Sequence, residues 1–272
     1  MTIWSDASGP IDAPPIVLVH GAMDRSAGLL RLSRRLSDRF RVIRYDRRGY
    51  GRSTGAGPPF TIDAHVDDLA ALVEHATGGD GVCLAFGHSL GGNVALGLAQ
   101  RRPELVDRVA VYETPMSWMP WWPERTAGGT ALGAADPADA AEAFMRRLVG
   151  DEKWDRLPPS TRSARRAEGA AMVGELADLR EHAPWDGERI EQPVLALCGE
   201  RAHDHHRRGF ETLPALLLGC RLAEIPDAGH FGPNTHADAV AAVLADFIGN
   251  GFVGSGRPED PALRAPERAG AD

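Results

Sequence analysis

Short apolar runs rich in β-branched residues punctuate the chain at 15–20 (PIVLVH), 41–46 (RVIRYD), 81–87 (GVCLAFG), 108–113 (RVAVYE), 193–199 (PVLALCG) and 220–226 (CRLAEIP). Most are too short for core helices and are closed by Gly or polar residues, so they predict β-strands. Between them, apolar positions fall at helical spacing over about 26–37, 65–75, 91–100, 207–217 and 237–247. In the last of these, Val240, Val243, Leu244 and Phe247 share one face. This alternation predicts an α/β fold, a mainly parallel sheet with helices on both faces.

The rhythm breaks between 114 and 187, where β-runs give way to helical fragments such as DAAEAFMRRLVG and AEGAAMVGELADLREH. Entered beside a strand end, this stretch predicts a helical insertion lying over the sheet. The chain then divides into a first core segment, 1–115, a helical cap, 116–187, and a second core segment, 188–249. A tail rich in Gly, Pro, Ala and charge follows at 250–272 and is expected to fray. Five of the six tryptophans, Trp118, Trp121, Trp122, Trp154 and Trp185, fall in or beside the insertion. They either glue the cap to the core by burial or wall an apolar pocket. The pocket role is assigned to Trp118, Trp121 and Trp122, joined by Met23 and Phe231 from the loops that carry the chemistry below.

Composition adds exclusions. A chain of 272 residues, 43% hydrophobic and 25% charged, has room for one large core and a modest insertion. Its formal charge of -8 opposes a nucleic acid or an anionic membrane as partner. No apolar run approaches the roughly 20 residues needed to span a bilayer. The first 15 residues lack the basic-then-apolar order of a signal peptide. Cys83, Cys198 and Cys220 show no metal-ligand spacing and read as buried thiols of a reducing compartment. These features point to a cytoplasmic protein with a small-molecule partner, and leave monomer and homodimer open.

The chemistry begins at GHSLGG, Gly87 to Gly92, between a predicted strand and a predicted helix. That is the G-x-S-x-G elbow in its strand-turn-helix setting, which lifts Ser89 out of the sheet at a helix N-terminus. His20-Gly21 ends the first clear strand, so the N–H of Ala22 is expected opposite that of Leu90, two donors for one oxyanion. His230, in the Gly-flanked loop PDAGHFGPNTH after the last strand, suits a general base taking the Ser89 proton.

With VLVHG, YDRRGYGRS, GHSLGG and DAGHFGP in that order, residues 12 to 249 resemble the α/β-hydrolase superfamily, in particular its capped serine hydrolases of esterase or haloperoxidase-like type. The resemblance implies a hydrolase core, a cap inserted after the strand ending near Glu113, Ser89 as nucleophile and His230 as base, with no cofactor and no metal. It makes Asp46 and Arg47 braces for loops. Serine at position 89 speaks against relatives such as epoxide hydrolases and haloalkane dehalogenases, which use an aspartate nucleophile.

The third member of the triad is open. Many relatives carry an aspartate three residues after the glycine of the penultimate strand, and here that position is Ala202. The choice falls on Glu113, at a strand end from which some relatives draw their acid and which needs no loop rearrangement; Asp204 on a reshaped loop, or an incomplete or water-supported dyad, are the alternatives. Any acid need only accept a hydrogen bond from the remote ring nitrogen and face the imidazolium. The dense HDHH, His203 to His206, reads as the polar start of a helix headed by Asp204, because adjacent His205 and His206 diverge and no separated ligand at typical spacing accompanies them. The expected activity is cleavage of an ester-like bond in a small or medium apolar substrate through an acyl-enzyme. Thioester, lactone or carbon–carbon bond hydrolysis, a cofactor-free lyase, and a non-catalytic small-molecule receptor are the alternatives.

Overall fold

A computed structural model describes residues 3–249; the tail at 250–272 lies outside the described residues. Seven strands form one sheet in the order β1-β3-β2-β4-β5-β6-β7. They are β1 (Ser5–Ser8), β2 (Pro15–Val19), β3 (Arg41–Tyr45), β4 (Leu84–His88), β5 (Val109–Tyr112), β6 (Val194–Gly199) and β7 (Cys220–Ile225). All pair in parallel except β1, which runs antiparallel on the β3 edge. The six apolar runs became β2 to β7. β1 was not foreseen: its residues are mostly exposed, so no buried face marks it, and backbone pairing to β3 defines it.

The inner strands bury both faces, and alternate residues feed two cores. Val17 and Val19 of β2 face one side with α2 (Ile62–Thr77), α3 (Leu90–Arg101) and α9 (Asp204–Leu216). Ile16 and Leu18 face the other, with α1 (Leu30–Leu36) and α11 (Ala237–Gly249). Inward residues at a period of two, helices at 3.6, is what the sequence pattern demanded.

Between β5 and β6 the chain leaves the sheet for five helices: α4 (Ala127–Leu132), α5 (Pro137–Val149), α6 (Asp151–Arg156), α7 (Pro159–Ala167) and α8 (Gly169–Glu181). Their own core includes Phe144, Met145, Trp154 and Met172. Asn93 of α3 ties both ends of this insertion to the core domain. Its Nδ2 donates to the Pro115 carbonyl at 3.0 Å, and its Oδ1 accepts from Trp185 Nε1 at 2.9 Å.

The insertion is fastened by three acids on one face of α8 and its approach, at helical spacing. Glu168 Oε1 accepts from the Gly51 N–H at 2.8 Å and pairs with Arg25 at 2.7 Å. Asp178 Oδ2 accepts from the Ile62 N–H at 2.7 Å, at the start of α2. Glu175 is the centre. It pairs with Arg47 at 2.5 Å, accepts from Tyr50 Oη at 2.5 Å and lies 2.9 Å from His65 Nε2. Both members of the Arg47–Glu175 pair are fully buried. Burial alone would raise the Glu175 carboxyl, but Arg47 and His65 overcome it and hold it below the ordinary range. Arg47 also donates to the carbonyls of His20 and Gly21, each at 3.0 Å. The cap is thereby wired to the loop beside the sheet's C-terminal edge. As the sequence resemblance implied, Asp46 braces loops, accepting from the N–H groups of Ser26 and Arg52 at 2.8 and 2.9 Å.

Replacing Glu175 by Gln should leave the Arg47 charge buried without its partner and destabilise the fold by about 3–5 kcal/mol. Denaturant unfolding of Glu175→Gln against wild type measures this. A change under about 1 kcal/mol would show the pair to be energetically idle.

Candidate active site

Ser89 sits between β4 and α3 with φ +52°, a left-handed backbone that a serine adopts only under constraint. Its N–H donates to the Tyr112 carbonyl at 2.8 Å and its carbonyl accepts from Gly92 at 2.8 Å. The flanking glycines are there for contact. A Cβ at Gly87 would meet the Gly91 carbonyl at 2.3 Å, and one at Gly91 would meet the Val19 carbonyl at 2.3 Å. Strand β2 thus presses against the elbow, and a Cβ on Gly21 would lie 3.0 Å from Ser89 Cβ. The Gly21-Ala22 backbone therefore runs alongside the serine.

His230 follows β7 in a loop pinned at two successive carbonyls. Tyr112 Oη donates to Gly229 O at 2.8 Å, and His88 Nε2 lies 2.8 Å from His230 O, which as an acceptor fixes the proton of His88 on Nε2. His230 Nδ1 is 2.8 Å from Glu113 Oε2. Glu113 is buried just past β5, with φ +46°, and its Oε1 accepts from the Gly199 N–H at 3.1 Å. With Nδ1–H donated to the carboxylate, Nε2 is the free nitrogen of the His230 ring. Asp204 is exposed in the first turn of α9 and makes no hydrogen bond to His230 among the described residues. Ala202 at the usual acid position is a half-buried packing residue.

A cavity of about 650 Å³ opens between sheet and cap, lined by Ser89, Leu90 and Ala22 together with His230. No hydrogen bond joins the Ser89 hydroxyl to the His230 ring among the described residues. Trp122 and Phe231 line this space as well; Met23, Trp118 and Trp121 do not. Met23 is buried in the cap core, reached through a left-handed turn at φ +53°. Trp118 packs edge-on against Trp185 at 5.5 Å, and Trp121 carries the Arg208 guanidinium on its face at 4.6 Å. For these three the burial role wins over the pocket role.

The HDHH segment requires a correction. Asp204 does begin α9, but His203, His205 and His206 also line the cavity. Their rings form a file: His203 stacks on His205 at 5.7 Å, His205 meets His206 at 4.4 Å, His206 stacks on His230 at 4.6 Å, and His230 meets His88 at 5.0 Å. Trp122 packs edge-on against both His205 and His206. His205 and His206 diverge as adjacent residues must, but the fold supplies the separated partners that the linear spacing lacked. Glu113, His206 and His230 offer ligand atoms within 4.8 Å of one another, a spacing that a metal ion could bridge.

Three of these rings, His88, His205 and His206, sit in a poor place to carry charge. Burial holds His88 down at about 3, aided by His230, and His205 at about 4, aided by His203 and His230. His206 falls well below its ordinary value, through burial first and then repulsion from His230, His205, His203 and His88. Because their folded values lie under the unfolded value near 6.5, the unfolded chain takes up protons first on acidification. Stability should therefore be full above about pH 6.5 and decline as pH falls toward 4. The unfolding midpoint followed from pH 7.5 to 5 should drop, with a smaller drop in His206→Phe; a flat wild-type profile would contradict the assignment of neutral rings.

Comparison with known proteins agrees with the fold. The model of the alpha/beta hydrolase family matches residues 16–243. The chain is 32% identical over 258 residues to the lipase LipV of Mycobacterium tuberculosis, covering 89% of this chain and 95% of that protein. It is 31% identical over 263 residues to the 2-(acetamidomethylene)succinate hydrolase of Mesorhizobium japonicum, covering 91% of each. Among solved structures, a hydrolase from Pseudomonas aeruginosa superposes with a TM-score of 0.73 at 24% identity, covering 91% of this chain and 94% of that one. No helix among the described residues is long and apolar enough to cross a membrane. With the family model spanning most of the chain and the elbow, cap and sheet order in place, the chain belongs to the alpha/beta hydrolase family.

Proposed function

We propose that the protein is a serine hydrolase that cleaves an ester-like bond in a small or medium, mainly apolar substrate by way of an acyl-enzyme. The observation that carries the reading is the His230 Nδ1–Glu113 Oε2 contact of 2.8 Å behind a cavity onto which Ser89 opens. Hydrolase chemistry is also what the names of the lipase and the succinate-type hydrolase state of those relatives.

In this mechanism substrate binding brings Ser89 Oγ into hydrogen-bond reach of His230 Nε2, a contact that tightens only in the complex. His230 takes the hydroxyl proton as Ser89 attacks the carbonyl carbon. The imidazolium is stabilised by Glu113, which is buried, held by the Gly199 N–H and unable to turn away. The N–H groups of Ala22 and Leu90 take the oxyanion, the latter from the first turn of α3 where the helix dipole favours negative charge. His230 then protonates the leaving group and activates water against the acyl-enzyme. Left-handed backbone at both Ser89 and Glu113 fits a pair of groups held in position at some conformational expense.

Ser89→Ala should lower kcat/KM for an activated aryl ester by about 10⁴-fold or more. Mass spectrometry should find one acyl group on the wild type during the burst and none on the variant; equal labelling would remove Ser89 from the mechanism. A second comparison separates the two acids. Glu113→Gln should cost roughly 10³–10⁴-fold in kcat, while Asp204→Asn stays within about threefold. Near-normal turnover in Glu113→Gln would transfer the role elsewhere. A protein that binds esters but turns none over would instead be a receptor on a hydrolase fold.

A further inference from the structure

The cavity is lined by four arginines and four histidines, and by no carboxylate side chain among its described residues, in a chain whose formal charge is -8. Its two walls differ. The sheet side supplies Ser89, Leu90 and His230, while the cap supplies Arg125 ahead of α4, Arg147 on α5 and Arg180 at the end of α8. The fourth arginine, Arg201, is paired with Asp227. Arg125, Arg147 and Arg180 make no ion pair with any described residue, whereas their neighbour Arg146 is paired with Glu142, Asp151 and Asp155. Arg180 is half-buried, with its Nη2 lying against Gly129 of α4, where a Cβ would come within 3.1 Å of it.

An unpaired, half-buried guanidinium facing a cavity is a poorly compensated charge. Arg180 is of this kind; Arg125 and Arg147, which are exposed, come from separate cap segments and add to the same positive field, with no acid side chain among the lining residues. His205 and His206, whose basicity burial lowers, add little to that field and leave it to the arginines. We infer that the cap wall is an anion subsite, and that the substrate carries a carboxylate group at the end remote from the bond cleaved at Ser89. This rests on the serine hydrolase reading above. Apolar residues of the same cap helices, among them Leu176, Leu179 and Phe144, also line the cavity and suit an aliphatic link from ester to carboxylate. A guanidinium offers the two parallel donors that a carboxylate accepts in a bidentate pair.

The test uses matched esters of one chain length, the mono-4-nitrophenyl ester of adipic acid and 4-nitrophenyl hexanoate. Wild-type kcat/KM should favour the carboxylate-bearing ester by roughly tenfold at low salt. The ratio should shrink in 0.5 M NaCl, since partly exposed charges are screened, and approach one in Arg180→Met or, should that variant fold poorly, in Arg147→Met. Equal rates for the two esters, a preference for hexanoate, or a ratio unmoved by salt and by both substitutions would overturn the anion subsite. Burst acylation of Ser89 by both esters without charge discrimination would sink the subsite alone. Absence of any Ser89 adduct from either ester would instead sink the hydrolase mechanism beneath it.

Discussion

The buried Arg47–Glu175 pair is the interaction on which the arrangement of this protein turns. It joins a cap helix to the core where neither charge meets water, and the same guanidinium holds the carbonyls of His20 and Gly21. A buried pair is a poor source of net stability, because desolvation offsets most of its attraction. Its value lies in specificity: any shift of α8 would strand a charge in the interior. Tyr50 and His65 crowd the same carboxylate, and Glu168 and Asp178, on the same face, accept from the N–H groups of Gly51 and Ile62. The roof of the cavity is therefore registered against the floor by charge, where an apolar contact alone would tolerate sliding.

The floor is registered by backbone. Ser89 and Glu113 stand at the C-terminal ends of neighbouring parallel strands, β4 and β5, and both take left-handed φ values. Each turns the chain sharply out of the sheet and so aims a side chain along its upper edge. The His230 loop, arriving two strands away after β7, is clamped through Tyr112 and His88, residues adjacent to those same two turns. Backbone strain and carbonyl clamps do together what no single side-chain contact could: they bring three distant segments to one edge.

These two modes of registration divide the cavity chemically. The sheet side is hydrogen-bonded and held in place by main chain. The cap side is built of helices whose outward charges are paired with each other and whose inward arginines are left unpaired. Between them runs the file of histidines from the start of α9, of which His205 and His206 are pushed down by burial and by neighbouring rings. His206 fills the space beside His230 without adding charge there.

The sequence by itself determined the parts that depend on local sterics and periodic burial. The inner strands β2 to β6 were legible because they are buried on both faces and so read as apolar runs, the edge strand β7 by its shorter apolar pattern, and the elbow because Gly87 and Gly91 admit no Cβ. β1 was not, since its exposed residues carry no such signal and only the β3 edge defines it. Side-chain meetings across the sheet were decided by tertiary structure. Glu113 and His230 are 117 residues apart, and the strand-end position that favours Glu113 over Asp204 becomes a contact only through the order β5-β6-β7 and the turn at Glu113, which put one carboxylate on the imidazole and left the other in solvent. The same holds for Trp118 and Trp121, whose aromatic bulk announced burial but not what would cover them, and for HDHH, which reads as a helix start and becomes a cavity wall. Local patterns report the neighbours within one turn or strand; which distant surfaces meet follows from strand order and cap registration, and adjacent residues carry no record of those.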